Sequence, residues 1–187
     1  MMEVDKEVLR RAAAGDMSAF EQIVKTCGGG IQATAARILG NREDALDATQ
    51  EVFVRLFRFL PGYDARRPFG PWLYRIVVNV SNDLARRTKH YGREVSLDDI
   101  DTSQMPTENQ GGIAAEEAGD KVMGLMEKLT MGQKTAFILR DVQELNCSEI
   151  ADIMNCSPAT VRSHLHQART RLRELIRRHY PELLKKG

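Results

Sequence analysis

From Cys147 to Leu172 the chain can fold in few ways, because two apolar periods of helical spacing are cut apart by Asn155 and by Ser157-Pro158. Ile150, Ala151, Ile153 and Met154 give the first period its apolar side. Ser148 is the expected N-cap, since its hydroxyl can accept a bond from an otherwise unpaired backbone N–H. Asn155 tolerates the left-handed backbone that a sharp turn needs. Ser157 then caps a second helix with Pro158 at its first position, where a missing N–H costs nothing. On that helix Val161, Leu165, Ala168 and Leu172 fall on one stripe. Ala159, Ser163, His166, Gln167 and Thr170 lie opposite, flanked by Arg162, Arg169 and Arg171. A slim helix with polar groups toward base edges and cations toward phosphates suits a major groove. The pattern is that of a helix-turn-helix. The competing interpretation is a plain amphipathic hairpin, which would not explain why cap, turn, proline and basic flanks coincide.

The chain has 187 residues and a net charge of +1, but that small number conceals a split. Residues 1–92 and 121–187 are each net basic, whereas residues 93–120 carry eight acidic side chains against one basic. Two mildly basic modules around an acidic middle suit nucleic acid at both ends and repel it between. Cys27, Cys147 and Cys156 are odd in number and scattered, which argues against a disulfide framework and for a reducing cytoplasm. Cys147 and Cys156 with His164 and His166 have the wrong spacing for a zinc finger, so no metal site is expected. No apolar run approaches the roughly 20 residues of a spanning helix, so no direct membrane insertion is expected.

Upstream, residues 3–14 and 18–26 have helical periodicity and are split by Gly15-Asp16. Gly28-Gly29-Gly30 predicts a break, because each glycine inside a helix costs about 1 kcal/mol relative to alanine. Helix resumes over 33–39 and again from Asp44 to Leu60, where Ala45, Thr49, Val52, Phe53, Leu56, Phe57 and Leu60 form a wide apolar face. Its other face carries Asp44, Asp47, Glu51, Arg55 and Arg58, either a solvated surface or a docking one. Pro61 to Pro71 is too rich in Pro and Gly for helix and interleaves Tyr63 and Phe69 with Arg66 and Arg67, a combination that can stack exposed bases and hold a backbone. The next helix, Trp72–Arg87, has a core face of Leu73, Ile76, Val77, Val80 and Leu84. Beside it runs a stripe of Arg75, Asn79, Asn82 and Arg86, two amides between two guanidiniums, suited to base edges and phosphates. Periodicity is lost from Thr88, and residues 93–113 predict a flexible linker with at most a weak strand at Val95–Leu97. Helices are expected again over 114–129 and 132–142.

Together these segments resemble the extracytoplasmic-function (ECF) group of bacterial RNA polymerase sigma factors over roughly residues 5–180. The N-terminal half is similar to sigma region 2 in Gly15-Asp16 with Ala19-Phe20, in Asp44 through Phe53, and in Trp72 through Asn79 with Asp83 and Arg86-Arg87. The C-terminal half is similar to region 4 in Leu129, Gln133-Lys134, Leu139-Arg140-Asp141, Leu145, Glu149-Ile150-Ala151 and Cys156 through Arg169. The resemblance implies an all-α protein of two small helical domains. Region 2 would span 1–90, an acidic linker 91–120, and region 4 residues 121–187. It implies that Asp44, Asp47, Gln50 and Glu51 dock on core RNA polymerase. Tyr63, Arg66, Arg67, Phe69, Arg75, Asn79, Asn82 and Arg86 would open the promoter −10 element. Arg162, Ser163, His166, Gln167, Arg169 and Arg171 would read the −35 duplex. The implied partners are core polymerase, promoter DNA and an anti-sigma factor, with no cofactor, no small-molecule substrate and no chemistry of the chain's own. In this sequence Gly28–Gly30 interrupts a stretch that the family keeps helical, and His164 and Gln167 stand where basic residues are common.

Two other classes fit parts of the chain. A stand-alone helix-turn-helix regulator would need a dimer and palindromic half-sites, yet no long dimerisation heptad is present. A nuclease or recombinase using Asp44, Asp47 and Glu51 lacks a neighbouring nucleophile or histidine to complete its site.

Overall fold

Most of the described α-helices start where a side chain satisfies the first free N–H groups. The computed structural model describes residues 3–94 and 121–184. Helix α1 (Lys6–Ala13) begins at Asp5, whose carboxylate accepts from Glu7 N–H. Helix α2 (Met17–Leu39) begins at Asp16, which accepts from the N–H groups of Ser18 and Ala19 and from Arg11 Nε at 2.9 Å. It ends at Gly40, whose φ of 75° is the left-handed conformation that favours glycine. Asn41 immediately caps α3 (Arg42–Phe59), which starts two residues earlier than periodicity placed it. A 3₁₀ turn (Leu60–Gly62) leads to α4 (Phe69–Glu94). Residues 121–126 form the described part of α5. Helix α6 (Met131–Phe137) passes into a π-helical turn (Ile138–Val142), followed by α7 (Cys147–Met154) and α8 (Pro158–His179).

Several expectations are corrected. Gly28–Gly30 does not break α2, which runs through all three. Cys27, Ile31 and Thr34 are fully buried on either side of the glycines, so tertiary packing outweighs the local propensity cost. At Gly28 the Phe53 ring approaches to 3.7 Å of where a Cβ would sit. Helix α4 begins at Phe69 and continues to Glu94, so it is longer at both ends than expected. Asn146, not Ser148, caps α7, in a reciprocal box with Glu149. Phe57 is 49% exposed rather than core and meets Phe20 edge-on at 5.1 Å. The Val95–Leu97 strand, the linker from residue 95 onward and the 114–120 part of the expected helix lie outside the described residues.

Helices α1–α4 enclose one core, with Ile23, Ile31, Val52, Leu56, Leu73 and Val77 at its centre. Helices α5–α8 enclose a second around Leu139, Leu145, Ile150, Val161 and Leu165. The two are not separate bodies. Ile38 of α2 and Tyr74 and Val78 of α4 belong to the second core, so α4 is buried along two faces rather than the one expected. Full burial of a Val or Ile side chain is worth about 1.5–3 kcal/mol, so this seam is energetically substantial.

Candidate nucleic-acid interface

The C-terminal surface is built by the helix-turn-helix. Asn155 takes the left-handed conformation at φ 51°, and Ser157 Oγ accepts from Thr160 N–H at 3.0 Å. These fix the turn that sets α8 on α7. Val161, Leu165, Ala168 and Leu172 are buried as expected, which leaves Arg162, Ser163, His166, Gln167, Arg169 and Arg171 all exposed. Arg162, His166 and Arg169 share an open groove with Arg173, Thr170 and Arg140. Arg140 comes from the π-helical turn and was not singled out from sequence, because its role depends on a neighbouring element folding back. Its Nη1 donates to the Leu145 carbonyl at 2.9 Å, which aims the guanidinium. Arg169 is held by Asp141 at 2.7 Å. Arg171 stands away from this groove and pairs at 3.7 Å with Glu174.

The two unusual residues of α8 face the start of α6. His164 is half-buried, and its imidazole lies 3.0 Å from where a Gly132 Cβ would be. Gln133 Nε2 donates to Gln167 Oε1 at 3.0 Å, and Gln167 Nε2 donates to Ser163 Oγ at 3.3 Å.

The N-terminal surface is less open. Arg75 and Asn79 are exposed on α4. Asn82 and Arg86, on the same stripe, border a cleft closed on its other side by Met131, Gly132, Thr135 and Met154 of the C-terminal helices. Asn82 Oδ1, Ser81 Oγ and Thr135 Oγ1 are buried without a hydrogen-bond partner among the described residues. Phe69, expected in a base-stacking loop, is instead a first-turn residue of α4, 7% exposed. It packs with Tyr63 and Trp72 at ring separations of 5.7 and 5.8 Å, because an aromatic beside Leu73 and Leu60 gains more from core than from solvent. Tyr63 donates to the Arg67 carbonyl, and Asp64 accepts from Arg66 at 2.9 Å, which folds the loop on itself and leaves both guanidiniums outward. The Arg66 contact, with the Arg66 N–H, holds the Asp64 carboxyl below its usual range.

A hydrogen-bonded link crosses the seam. Tyr74 Oη donates to Gln143 Oε1, and Gln143 Nε2 donates to Thr34 Oγ1 at 3.2 Å. Thr34 in turn donates to the Gly30 carbonyl at 2.7 Å, so the glycine stretch takes part in the contact. Burial pushes the Tyr74 phenol up to about 12.

On α3, Asp47, Gln50 and Glu51 are exposed and Asp44 is half-buried. Glu51 pairs with Arg55 at 2.7 Å, and Arg55 reaches Asp83 of α4 at 3.2 Å. Sequence reasoning missed the apolar side chains on this surface: Leu46 is 43% exposed and Val54 53%. A helix face that alternates acids with exposed aliphatics is unlike a merely solvated one. Among the described residues no group of three His, Cys, Asp or Glu side chains could hold a metal ion, and no helix is long and apolar enough to cross a membrane.

Comparison with known proteins joins these surfaces. Residues 23–91 match the sigma-70 region 2 family and residues 119–172 the sigma-70 region 4 family. The chain is 29% identical to the ECF RNA polymerase sigma factor SigW of Bacillus subtilis, over 92% of this chain and 96% of that one. It is 30% identical to the RNA polymerase sigma factor NccH of Alcaligenes xylosoxydans xylosoxydans, over 92% and 95% respectively. CnrH, solved in complex with the cytosolic domain of CnrY, superposes with a TM-score of 0.68 at 26% identity, covering 95% of this chain and 99% of that one. With helix-turn-helix, amide-arginine stripe and acidic α3 face in the family's order, the chain belongs to the ECF group of sigma-70-type RNA polymerase sigma factors, the factors of transcription initiation.

Proposed function

We propose that this sigma factor docks on core RNA polymerase through α3, reads −35 duplex with α8 and opens the −10 element with α4 and the loop before it. The observation that carries this is the pairing of two DNA-suited surfaces on one chain, joined by an acidic segment. Asp44, Asp47, Gln50 and Glu51 contribute charge and hydrogen bonds to the polymerase contact, with Leu46 and Val54 supplying apolar area. Arg162, Ser163, His166, Gln167 and Arg169 read or hold the −35 duplex, with Arg140 and Arg173 added on phosphates and Arg171 on the flank. Arg75, Asn79, Asn82 and Arg86, with Tyr63, Arg66 and Arg67, hold the melted −10 strand, and unpairing costs a few kcal/mol that these contacts offset. Phe69 acts from beneath, by supporting Tyr63 and Trp72. We further propose region 2 over 1–90, linker over 91–120 and region 4 over 121–187. The chain works in the cytoplasm and catalyses no reaction itself.

The seam bears on how it is used. Asn82 is half-buried in a cleft under the C-terminal helices, with the exposed Arg86 at its edge, so full engagement of Asn82 by the strand requires the two halves to part. Docking of α3 on core polymerase together with seating of α8 on −35 duplex favours the parted form. An anti-sigma factor is the natural opposing ligand, holding the halves together; CnrH was solved in complex with a separate chain, the cytosolic domain of CnrY. Run-off transcription is the test. Core polymerase plus this chain should initiate from a defined set of promoters. A mixture inactive on every promoter, with the chain alone binding operator DNA as a dimer, would instead favour a stand-alone regulator.

A further inference from the structure

Four groups between α6 and α8 form a chain of hydrogen bonds whose direction is set at one end. The backbone N–H of Thr130 can only donate, and it donates to Gln133 Oε1 at 3.1 Å. The Gln133 amide therefore turns its NH₂ toward α8, where it donates to Gln167 Oε1 at 3.0 Å. Gln167 must then turn its own NH₂ away from Gln133, and it donates to Ser163 Oγ at 3.3 Å. No link can be reversed without opposing two donors or two acceptors. The first turn of α6 is also pressed against α8, since His164 occupies the space a side chain at Gly132 would need. Gln133 itself is held by its capping box with Thr130, whose Oγ1 accepts from Gln133 N–H at 3.4 Å.

A free glutamine reads adenine by accepting from N6 and donating to N7 with one amide. Here Gln167 Oε1 is engaged by Gln133, whereas one N–H of its Nε2 is still available beyond Ser163. We propose that Gln133 is a specificity-determining positioning residue, which fixes Gln167 as a donor, so that at the facing −35 position adenine loses its bidentate advantage and a base with O6 or O4 as acceptor (guanine or thymine) is favoured. Gln133 touches no DNA in this scheme; it acts through Gln167. The chain ties Gln167 to α6, and His164 lies against Gly132 at the start of α6; the phosphate-binding charge lies instead on Arg140, Arg162, Arg169 and Arg173.

The inference rests on α8 being the −35 reader, and the test separates the two. Holoenzyme made with core polymerase selects from promoters randomised in the −35 duplex, for the native chain and for Gln133→Ala, Gln167→Ala, Thr130→Ala and Arg162→Ala. Gln133→Ala and Gln167→Ala should move the preference at one shared base position. Gln133→Ala should raise the acceptance of adenine there by about tenfold, within the range of one good bidentate pair. Thr130→Ala removes the hydroxyl cap but keeps the backbone N–H, so it should lower thermal stability and leave the profile as it was. A Gln133→Ala profile equal to the native one, or one shared with Thr130→Ala, overturns the inference. If Gln167→Ala moves nothing while Arg162→Ala weakens selection, α8 remains the reader and the amide chain is not part of it. If no holoenzyme selects any duplex, the reading of α8 itself falls.

Discussion

The two DNA-facing surfaces of this chain differ in how free they are. On α8 all six expected residues are exposed, and three of them line an open groove with further arginines. On α4, Arg75, Asn79 and Arg86 are exposed, while Asn82 is half-buried at a cleft whose far wall belongs to the other half of the molecule. The difference has a physical source. Helix α8 has one apolar stripe and buries it within its own module, whereas α4 has two, and the second, Tyr74 with Val78, packs with Ile38 of α2 into the core of α5–α8. A helix apolar on two sides cannot present its polar stripe without a neighbour close beside it. The duplex reader is thus ready in the free chain, and the strand-capturing surface depends on where the halves stand.

Substitution on the uncovered part of the α4 stripe should give the largest effect. Asn79→Ala removes a contact open to DNA in either arrangement, and initiation from duplex promoters should fall roughly ten- to a hundredfold, taking about 1–3 kcal/mol per base contact. A pre-melted promoter should recover most of that loss in the same transcription assay; equal loss on both templates would place Asn79 outside melting. On α3, Val54→Asp should raise the Kd for core polymerase about tenfold in a titration, through the loss of an apolar contact of about 1–2 kcal/mol. Unfolding of the free chain should be little altered, because Val54 is 53% exposed. On the open surface, Arg162→Ala and Arg173→Ala should each lower the slope of log affinity against log salt for −35 duplex by about 1. An unchanged slope would remove that arginine from the phosphate contacts. The smallest effect concerns Asp16, far from both surfaces. Ser18, then Arg11 and the Ala19 N–H, hold its carboxyl well below the usual range. A carboxyl depressed in the folded state adds stability that is present above the ordinary aspartate value of about 3.9 and is lost as pH falls below it. Asp16→Asn keeps the cap, so its melting temperature should vary less between about pH 5 and pH 2 than that of the native chain.

Local chemistry was legible at the turn and along α8, but not at the start of α7, where Asn146 rather than Ser148 is the cap. Asn155 and Ser157-Pro158 located the turn, and the stripe from Val161 to Leu172 located the buried side of α8. Arg75, Asn79, Asn82 and Arg86 keep their helical spacing within α4. What was hidden depends on partners distant in sequence. Tyr74 and Val78 look like ordinary apolar positions until α5–α8 pack on them. Phe69 reads as an exposed loop aromatic until it meets Tyr63 and Trp72. The run Gly28–Gly30 looks like a break because its favourable contacts, with Phe53 and through Thr34 with Gln143, come from other helices. Arg140 gained its place in the groove by the same route.

The seam offers the most direct test. Gln143→Ala removes the side chain that satisfies Tyr74 and bonds Thr34, and a buried hydroxyl left unpaired costs about 1–3 kcal/mol. The affinities of the free chain should be measured for a single strand carrying the −10 element and for a −35 duplex, with and without this substitution. The account predicts roughly tenfold tighter binding of the single strand and unchanged binding of the duplex. Unchanged binding of both, or equal tightening of both, would contradict a covered −10 surface beside an open −35 one.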